Sequence, residues 1–335
     1  MPAKDRFAGI AVLTLVLSLG SVEARTRHYY VQAEDVTWDF APTNQNLIHG
    51  GPIPEPWTSS HVFQKTRYVE YTDATFQTRK PQPEWLGVLG PIIRAEVGDT
   101  VIVHFRNQAP SGSYGMHPHG FRYTKDNEGA HYEGVNSGQM AGAGAEIPYG
   151  GSFDYTWIAD EDSAPGPGDP SSLVWWYHSH VDEPVETNRG LLGPIVITRR
   201  GWAREDGSPK DVDREFVTAF FIFDELEGEE PGLMHGINGY IFGNLKGLVM
   251  HTGENVRWYV LGMGNEVDLH SPHWHGKTVK VGAGPAMRTT DTVSLLPGSM
   301  LTANMKADNP GEWMLHCHVS DHVKAGMMSS YQILP

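Results

Sequence analysis

Two stretches of this chain are variations on one template, and a duplicated template restricts the fold more than any other feature of the sequence. Residues 89–107, LGPIIRAEVGDTVIVHFRN, and residues 245–265, LKGLVMHTGENVRWYVLGMGN, each read as strand, Gly-acid turn, strand. Nineteen residues after Gly98 stands His117 in HPHG; twenty after Gly253 stands His273 in HSPHWHG. Each half then carries a second His-x-His, YHSH ending at His180 and HCH from His316 to His318, followed by an apolar C-terminal strand. The period is near 155 residues, and short strands punctuated by 38 Gly and 23 Pro predict an all-β chain whose halves are Greek-key β-sandwich domains. The polar run 199–213, RRGWAREDGSPKDVD, marks the junction, giving a first domain at 25–200 and a second at 201–335. Two Gly/Pro/Ser-rich inserts in the first half, 141–151 and 163–172, read as surface loops.

The chain starts MPAKDR, followed by an apolar run over 7–19 and by Val22, Glu23 and Ala24. A basic start, a short apolar stretch and small residues before a cut describe a secretory signal peptide at residues 1–24, cleaved after Ala24. That run is too short to span a bilayer comfortably, and nothing else approaches a transmembrane segment. The mature chain is therefore expected to be secreted or periplasmic, with no membrane anchor. A formal charge of −15 disfavours nucleic acid and anionic membrane as partners and draws cations. Cys317 is the only cysteine, so its thiol is buried, intermolecular or a ligand.

Four His-x-His pairs stand at His117/His119, His178/His180, His273/His275 and His316/His318. Roughly one such pair is expected from 17 histidines placed at random in 335 residues. A single pair is explained by a solvated loop or a core histidine; four in matched halves are not. Residues i and i+2 of a strand face the same side, so each pair presents two imidazoles to one point. Eight such nitrogens suit copper, zinc, iron or nickel.

The segment HCHVSDHVKAGM (316–327) narrows the choice. In an extended HCH the two histidines face one side and Cys317 the other, which places two metal centres on opposite sides of one strand. On the cysteine side His322 and Met327 follow at +5 and +10, and His270 stands three residues before His273. One thiolate, two imidazoles and a weak axial thioether form the ligand set of a blue-copper electron-transfer site. An electron there is on the order of 10 Å of covalent path from His316 and His318, at about 3.8 Å per residue. A cluster of several coppers at the far end accumulates the electrons that reduce O2 to water.

At this point nearly the whole chain resembles the multicopper oxidases, whose domains are cupredoxin-like. HPHG, YHSH, HSPHWHG and HCHVSDHVKAGM match the four copper motifs of that family with no ligand missing. The resemblance implies that His117 and His273 hold the type 2 copper. It gives His119, His178, His180, His275, His316 and His318 to the type 3 pair, and His270, Cys317, His322 and Met327 to the type 1 copper. Within the family, HYYVQAEDVTWDFAP (28–42), YVEYTDATF (68–76), DEPVETNRGLLGPIVI (182–197), GINGYIFGNLKGL (236–248) and YVLGMGNEVDLH (259–270) are similar to the ceruloplasmin and hephaestin ferroxidases. The first half has Ser179 where a type 1 cysteine would sit, so only the second domain should carry a blue copper. A two-domain chain of this kind is similar to the bacterial small laccases, which implies a homotrimer with its trinuclear site shared between subunits; head-to-tail contacts close into rings.

The reductant stays open between ferrous iron and phenols or aromatic amines. By the ferroxidase likeness, Glu230, His235 and Asp321 stand where those relatives place iron-binding groups. Glu230 also belongs to an acidic run, DELEGEE, and Asp321 is equally placed to orient His322. Asp182, Glu183 and Asp268 lie near the histidines as candidate proton donors or hydrogen-bond partners. Two alternatives are a copper nitrite reductase, which needs three histidines at its catalytic copper and a blue site in its first domain, and a non-catalytic copper-binding cupredoxin.

Overall fold

The computed structural model describes residues 23–132, 142–228 and 232–335; the expected leader, residues 1–22 of it, lies outside these. Among the described residues, 18 strands fall into four sheets. In the first half one sheet orders Val62–Tyr71, Thr26–Asp39, Thr100–Asn107 and Ser152–Ile158; its partner orders Ile93–Glu96, Leu192–Thr198, Ser172–His178 and His117–Pro118. In the second half one sheet orders Leu233–Ile237, Arg214–Asp224, Asn255–Gly262, Met300–Lys306, Val279–Val281 and Arg288–Thr290. Its partner orders Val249–His251, Met328–Leu334, Gly311–Cys317 and Pro272–Trp274. The all-β architecture of two cupredoxin-like sandwiches follows from alternation. In Thr100–Asn107 every second side chain is buried, which is the pattern of a strand with one face on a core.

The duplicated template takes the expected form in both halves. Gly98 and Gly253 sit at φ of +105° and +96°, a backbone that side-chain-bearing residues resist, and each turns one short strand into the next. Each sandwich closes on its own core: Val31, Val101, Tyr155, Ile195 and Tyr177 in the first, Phe216, Trp258, Leu315, Trp274 and Tyr331 in the second. A third apolar cluster joins the halves, with Leu86, Val174 and Trp176 from one and Val217, Phe221 and Leu261 from the other.

Both inserts depart in part from expectation; in 141–151, Ala145 and Ile147 are buried, Ile147 by pairing with Tyr114. Within 163–172, Ser163, Ser171 and Ser172 are buried: Ser163 Oγ donates to Gly120 O, and Arg257 of the second half reaches across and donates from Nη1 to both Ser171 Oγ and Ser172 Oγ at 2.7 Å. A loop whose end satisfies a buried guanidinium is an interior element, whatever its composition.

The halves are also clamped by Lys65 of Val62–Tyr71, whose ammonium is buried against Glu225, just past Arg214–Asp224, and donates to Asn188 O. Burial pulls the lysine down to about 8, with Glu225 opposing, and pushes the Glu225 carboxyl up. Removing one partner strands a charge away from water. Glu225→Ala is expected to lower the unfolding free energy by about 3–5 kcal/mol at neutral pH, measured by urea denaturation, with Lys65→Met added to Glu225→Leu recovering most of the loss.

Candidate metal centres

Cross-strand pairing merges the His-x-His motifs into quartets. His117 lies opposite His178 where His117–Pro118 pairs with Ser172–His178, and His273 lies opposite His316 where Pro272–Trp274 pairs with Gly311–Cys317. Opposed residues of an antiparallel pair sit about 4.5–5.5 Å apart, so two motifs far apart in sequence share one face. In the first quartet His119 Nε2 is 3.1 Å from His178 Nε2, and the His117 ring lies 5.3 to 5.5 Å from those of His119, His178 and His180. In the second, His275 Nε2 is 3.0 Å from His316 Nε2, and the His273 ring lies 4.7 to 5.6 Å from those of His275, His316 and His318.

The outward nitrogens fix the tautomers in the same way in both halves. His117 Nδ1 faces Glu128 O at 2.7 Å and His273 Nδ1 faces Asp291 O at 3.0 Å. His178 Nδ1 faces Ser179 O at 2.9 Å and His316 Nδ1 faces Cys317 O at 2.7 Å. A carbonyl only accepts, so each Nδ1 keeps its proton and each Nε2 presents a lone pair. Burial lowers His119 and His178 to about 4, and is also the largest cause of lowering at His117, His275 and His316. These imidazoles are therefore neutral near pH 7, the form a metal takes. His180 meets Glu183 at 3.3 Å, and His318 is exposed. Among the described residues, no hydrogen bond or ring contact joins a histidine of one quartet to one of the other.

The thiol side of the same strand builds a separate centre. His270, Cys317 and His322 are buried and place one donor atom each within 4.8 Å of one another. His270 Nδ1 is 3.2 Å from His322 Nδ1, and Cys317 Sγ is 3.6 Å from His322 Nδ1. The short helix Ser320–Lys324 folds the chain back after Cys317, so that Cys317 N donates to Met327 O at 3.0 Å and Met327 packs fully buried in the core that includes Cys317. The sulfur accepts from the amides of Ser271 (3.3 Å) and Val319 (3.5 Å). Burial pushes the thiol up and those two amides pull it back.

Asp268, left undecided by sequence reasoning, has a clear place. It is fully buried, its Oδ1 lies 3.0 Å from His270 Nε2, and it accepts from the amides of Ile222 and Asn265. It orients His270 so that Nδ1 faces the sulfur. The sequence signal was an acid two residues before a candidate ligand, which is too common to decide. Of the groups given to iron by resemblance, His235 lies with its ring 5.2 Å from that of His322 and is lowered to about 4, first by burial and then by His322 and His270. Asp321 is exposed on the helix that carries His322. Glu230 lies outside the described residues.

A buried soft sulfur with two imidazoles, beside two quartets of imidazoles, fits copper. Family models described as multicopper oxidase match residues 69–201 and 217–335, about three quarters of the sequence, and the chain belongs to the multicopper oxidase family. Over 99% of its length it is 37% identical to human ferroxidase HEPHL1, over 97% it is 36% identical to human ceruloplasmin, and over 93% it is 36% identical to human hephaestin. It spans about a third of the length of these relatives, 31%, 33% and 30% respectively. Solved structures sharing the fold include a multicopper oxidase (TM-score 0.65, 19% identity, 92% of this chain and 89% of that one) and the blue copper oxidase of Nitrosomonas europaea (TM-score 0.61, 20% identity, 93% and 86%). Among the described residues no helix is long and apolar enough to cross a membrane.

Proposed function

We propose that this chain is an oxidase that takes single electrons from a reductant beside His270 and His322 and passes them to dioxygen, which is reduced to water at the histidine quartets. The observation that carries the reading is one strand end, 316–318, on which the buried Cys317 sulfur faces His270 and His322 while His316 faces His273 and His275. In this reading His270, Cys317, His322 and Met327 hold the type 1 copper. His117 and His273 hold the type 2 copper, and His119, His178, His180, His275, His316 and His318 the type 3 pair. Copper supplies the one-electron couple at the thiolate and the multi-electron reduction of dioxygen at the quartets. The protein's part is orientation and exclusion of water: carbonyls hold the Nδ1 protons, Asp268 fixes His270, and two amides hold the sulfur.

Each chain then carries two half-clusters on separate halves, with domains at 25–200 and 201–335. Four nitrogens apiece are an incomplete set for three coppers, and head-to-tail association into a homotrimer completes each with a neighbour's quartet. The apolar start of the chain supports export, to the periplasm or beyond.

Ferrous iron is the favoured reductant. His235 beside His322, with the Asp321 carboxylate on the helix that carries His322, offers a hard cation a berth next to the electron entry site, and the ferroxidase likeness adds Glu230. The relatives named above, one of them called a ferroxidase, support that reading. A second reading has its own observation: Val267, Leu269 and Leu296 are exposed at 51%, 50% and 60% around His270, an apolar rim suited to a phenol or aromatic amine. Oxygen consumption by the Glu230→Ala/Asp321→Ala double variant separates the two. Iron oxidation is expected to fall at least about tenfold with phenol turnover unchanged; equal rates with iron in variant and parent would remove the iron assignment.

A further inference from the structure

Outside the sites above, one more pair of imidazoles stands nitrogen to nitrogen. His28 Nδ1 lies 3.0 Å from His104 Nε2, against 3.0 to 3.2 Å for His275–His316, His119–His178 and His270–His322. His28 belongs to Thr26–Asp39 and His104 to the neighbouring parallel strand Thr100–Asn107, where Tyr30 lies opposite His104. Since His28 and Tyr30 share a face, the two histidines are one diagonal step apart on the outside of the first sandwich. The His104 ring is stacked on Tyr30, at 4.7 Å and 12°, and lies parallel to the His28 ring within 5°. Its remaining nitrogen, Nδ1, is 2.9 Å from Oδ1 of Asp154, which sits directly opposite on Ser152–Ile158.

We propose that His28 and His104 form an auxiliary surface site for a divalent first-row metal ion, with Cu2+ the preferred occupant, separate from the oxidase centres. Asp154 accepts a hydrogen bond from His104 Nδ1–H and so leaves Nε2 bare toward His28, the carboxylate–imidazole–metal order found behind many ligating histidines. Without an ion, His28 Nδ1–H fills the gap as an N–H···N hydrogen bond. An ion replaces that proton once His28 carries its hydrogen on Nε2 instead, which costs no net charge. Two nitrogens about 2.05 Å from one tetragonal ion and at right angles are about 2.9 Å apart; the coplanar rings now point at one another, so each turns by about 45° to aim its lone pair at one ion. His28 is exposed, so water completes the coordination. Among divalent ions copper binds imidazole nitrogen most tightly, and the acidic surface concentrates cations of any kind.

The experiment is Cu2+ titration of the fully copper-loaded oxidase, followed by calorimetry and by electron paramagnetic resonance. The parent is expected to take up one additional Cu2+ per chain with nitrogen coupling. His28→Gln and His104→Gln should each abolish that uptake without changing oxidase activity, and Asp154→Asn should weaken it about 10–100-fold. No extra uptake in the parent, or equal uptake in the histidine variants, overturns the site; an unchanged affinity in Asp154→Asn overturns the carboxylate's part in building it.

Discussion

Cys317→Ser is expected to bleach the visible blue absorption completely and to bring oxygen consumption to the background rate with every reductant, while copper at the histidine quartets is retained. The serine hydroxyl is a hard donor that keeps its proton near neutral pH, so it replaces neither the soft thiolate nor the charge-transfer band that thiolate gives. The substitution is nearly isosteric in a site with no solvent exposure, and both amide donors, from Ser271 and Val319, find an oxygen where they found sulfur. The fold should therefore survive, and the quartet ligands His316 and His318 keep their places on the strand. Loss of colour with turnover intact would mean that electrons enter elsewhere, and the proposed path from sulfur through the backbone to the flanking imidazoles would be abandoned.

Subunit mixing tests the shared cluster with an effect almost as large. A His117→Ala/His119→Ala chain keeps the second quartet and loses the first; a His316→Ala/His318→Ala chain does the reverse. Each variant alone should be inactive. When the two are unfolded together in equal amounts, refolded and loaded with copper, about a quarter of head-to-tail interfaces join two intact quartets, and the mixture should recover about a quarter of the parent rate. The figure follows from one intact half in two on each side of every interface and does not depend on the number of subunits in the ring. Zero recovery, with mixed oligomers shown to be present, would place the cluster within single chains. The separation of the quartets in the chain, with no contact between them among the described residues, is what makes recovery the expected result.

The parts legible in the sequence were those governed by local period. A two-residue repeat places His117 with His119 and His316 with His318, and it sends Cys317 to the other side; no tertiary knowledge is needed. The Gly98 and Gly253 turns were legible because glycine there answers a backbone demand. Long-range choices were not. Nothing in YHSH says that His178 pairs with His117, because that register is set by packing of Ser172–His178 against Leu192–Thr198. Asp268 looked like one acid among many until burial and its two amide donors gave it a fixed role. Ser171 and Ser172 carried the composition of a loop and became interior through Arg257, 86 and 85 residues away. His28, His104 and Asp154 come from three strands, and no window of sequence contains them together.

The first half retains the outline of a thiolate centre without its chemistry. Gly115 N donates to Ser179 Oγ at 3.1 Å, as Ser271 N donates to Cys317 Sγ. Three residues before His117 stands Tyr114, where the second half has His270; five and ten after Ser179 stand Pro184 and Arg189, where it has His322 and Met327. Arg189 Nη1 donates to the Tyr114 hydroxyl at 3.3 Å, so the vacated ground is filled by a ring, a guanidinium and a hydroxyl, none of which suits a soft ion. On the proposed reading each chain then has a single port for reducing equivalents, and turnover would be paced by how quickly that port is refilled.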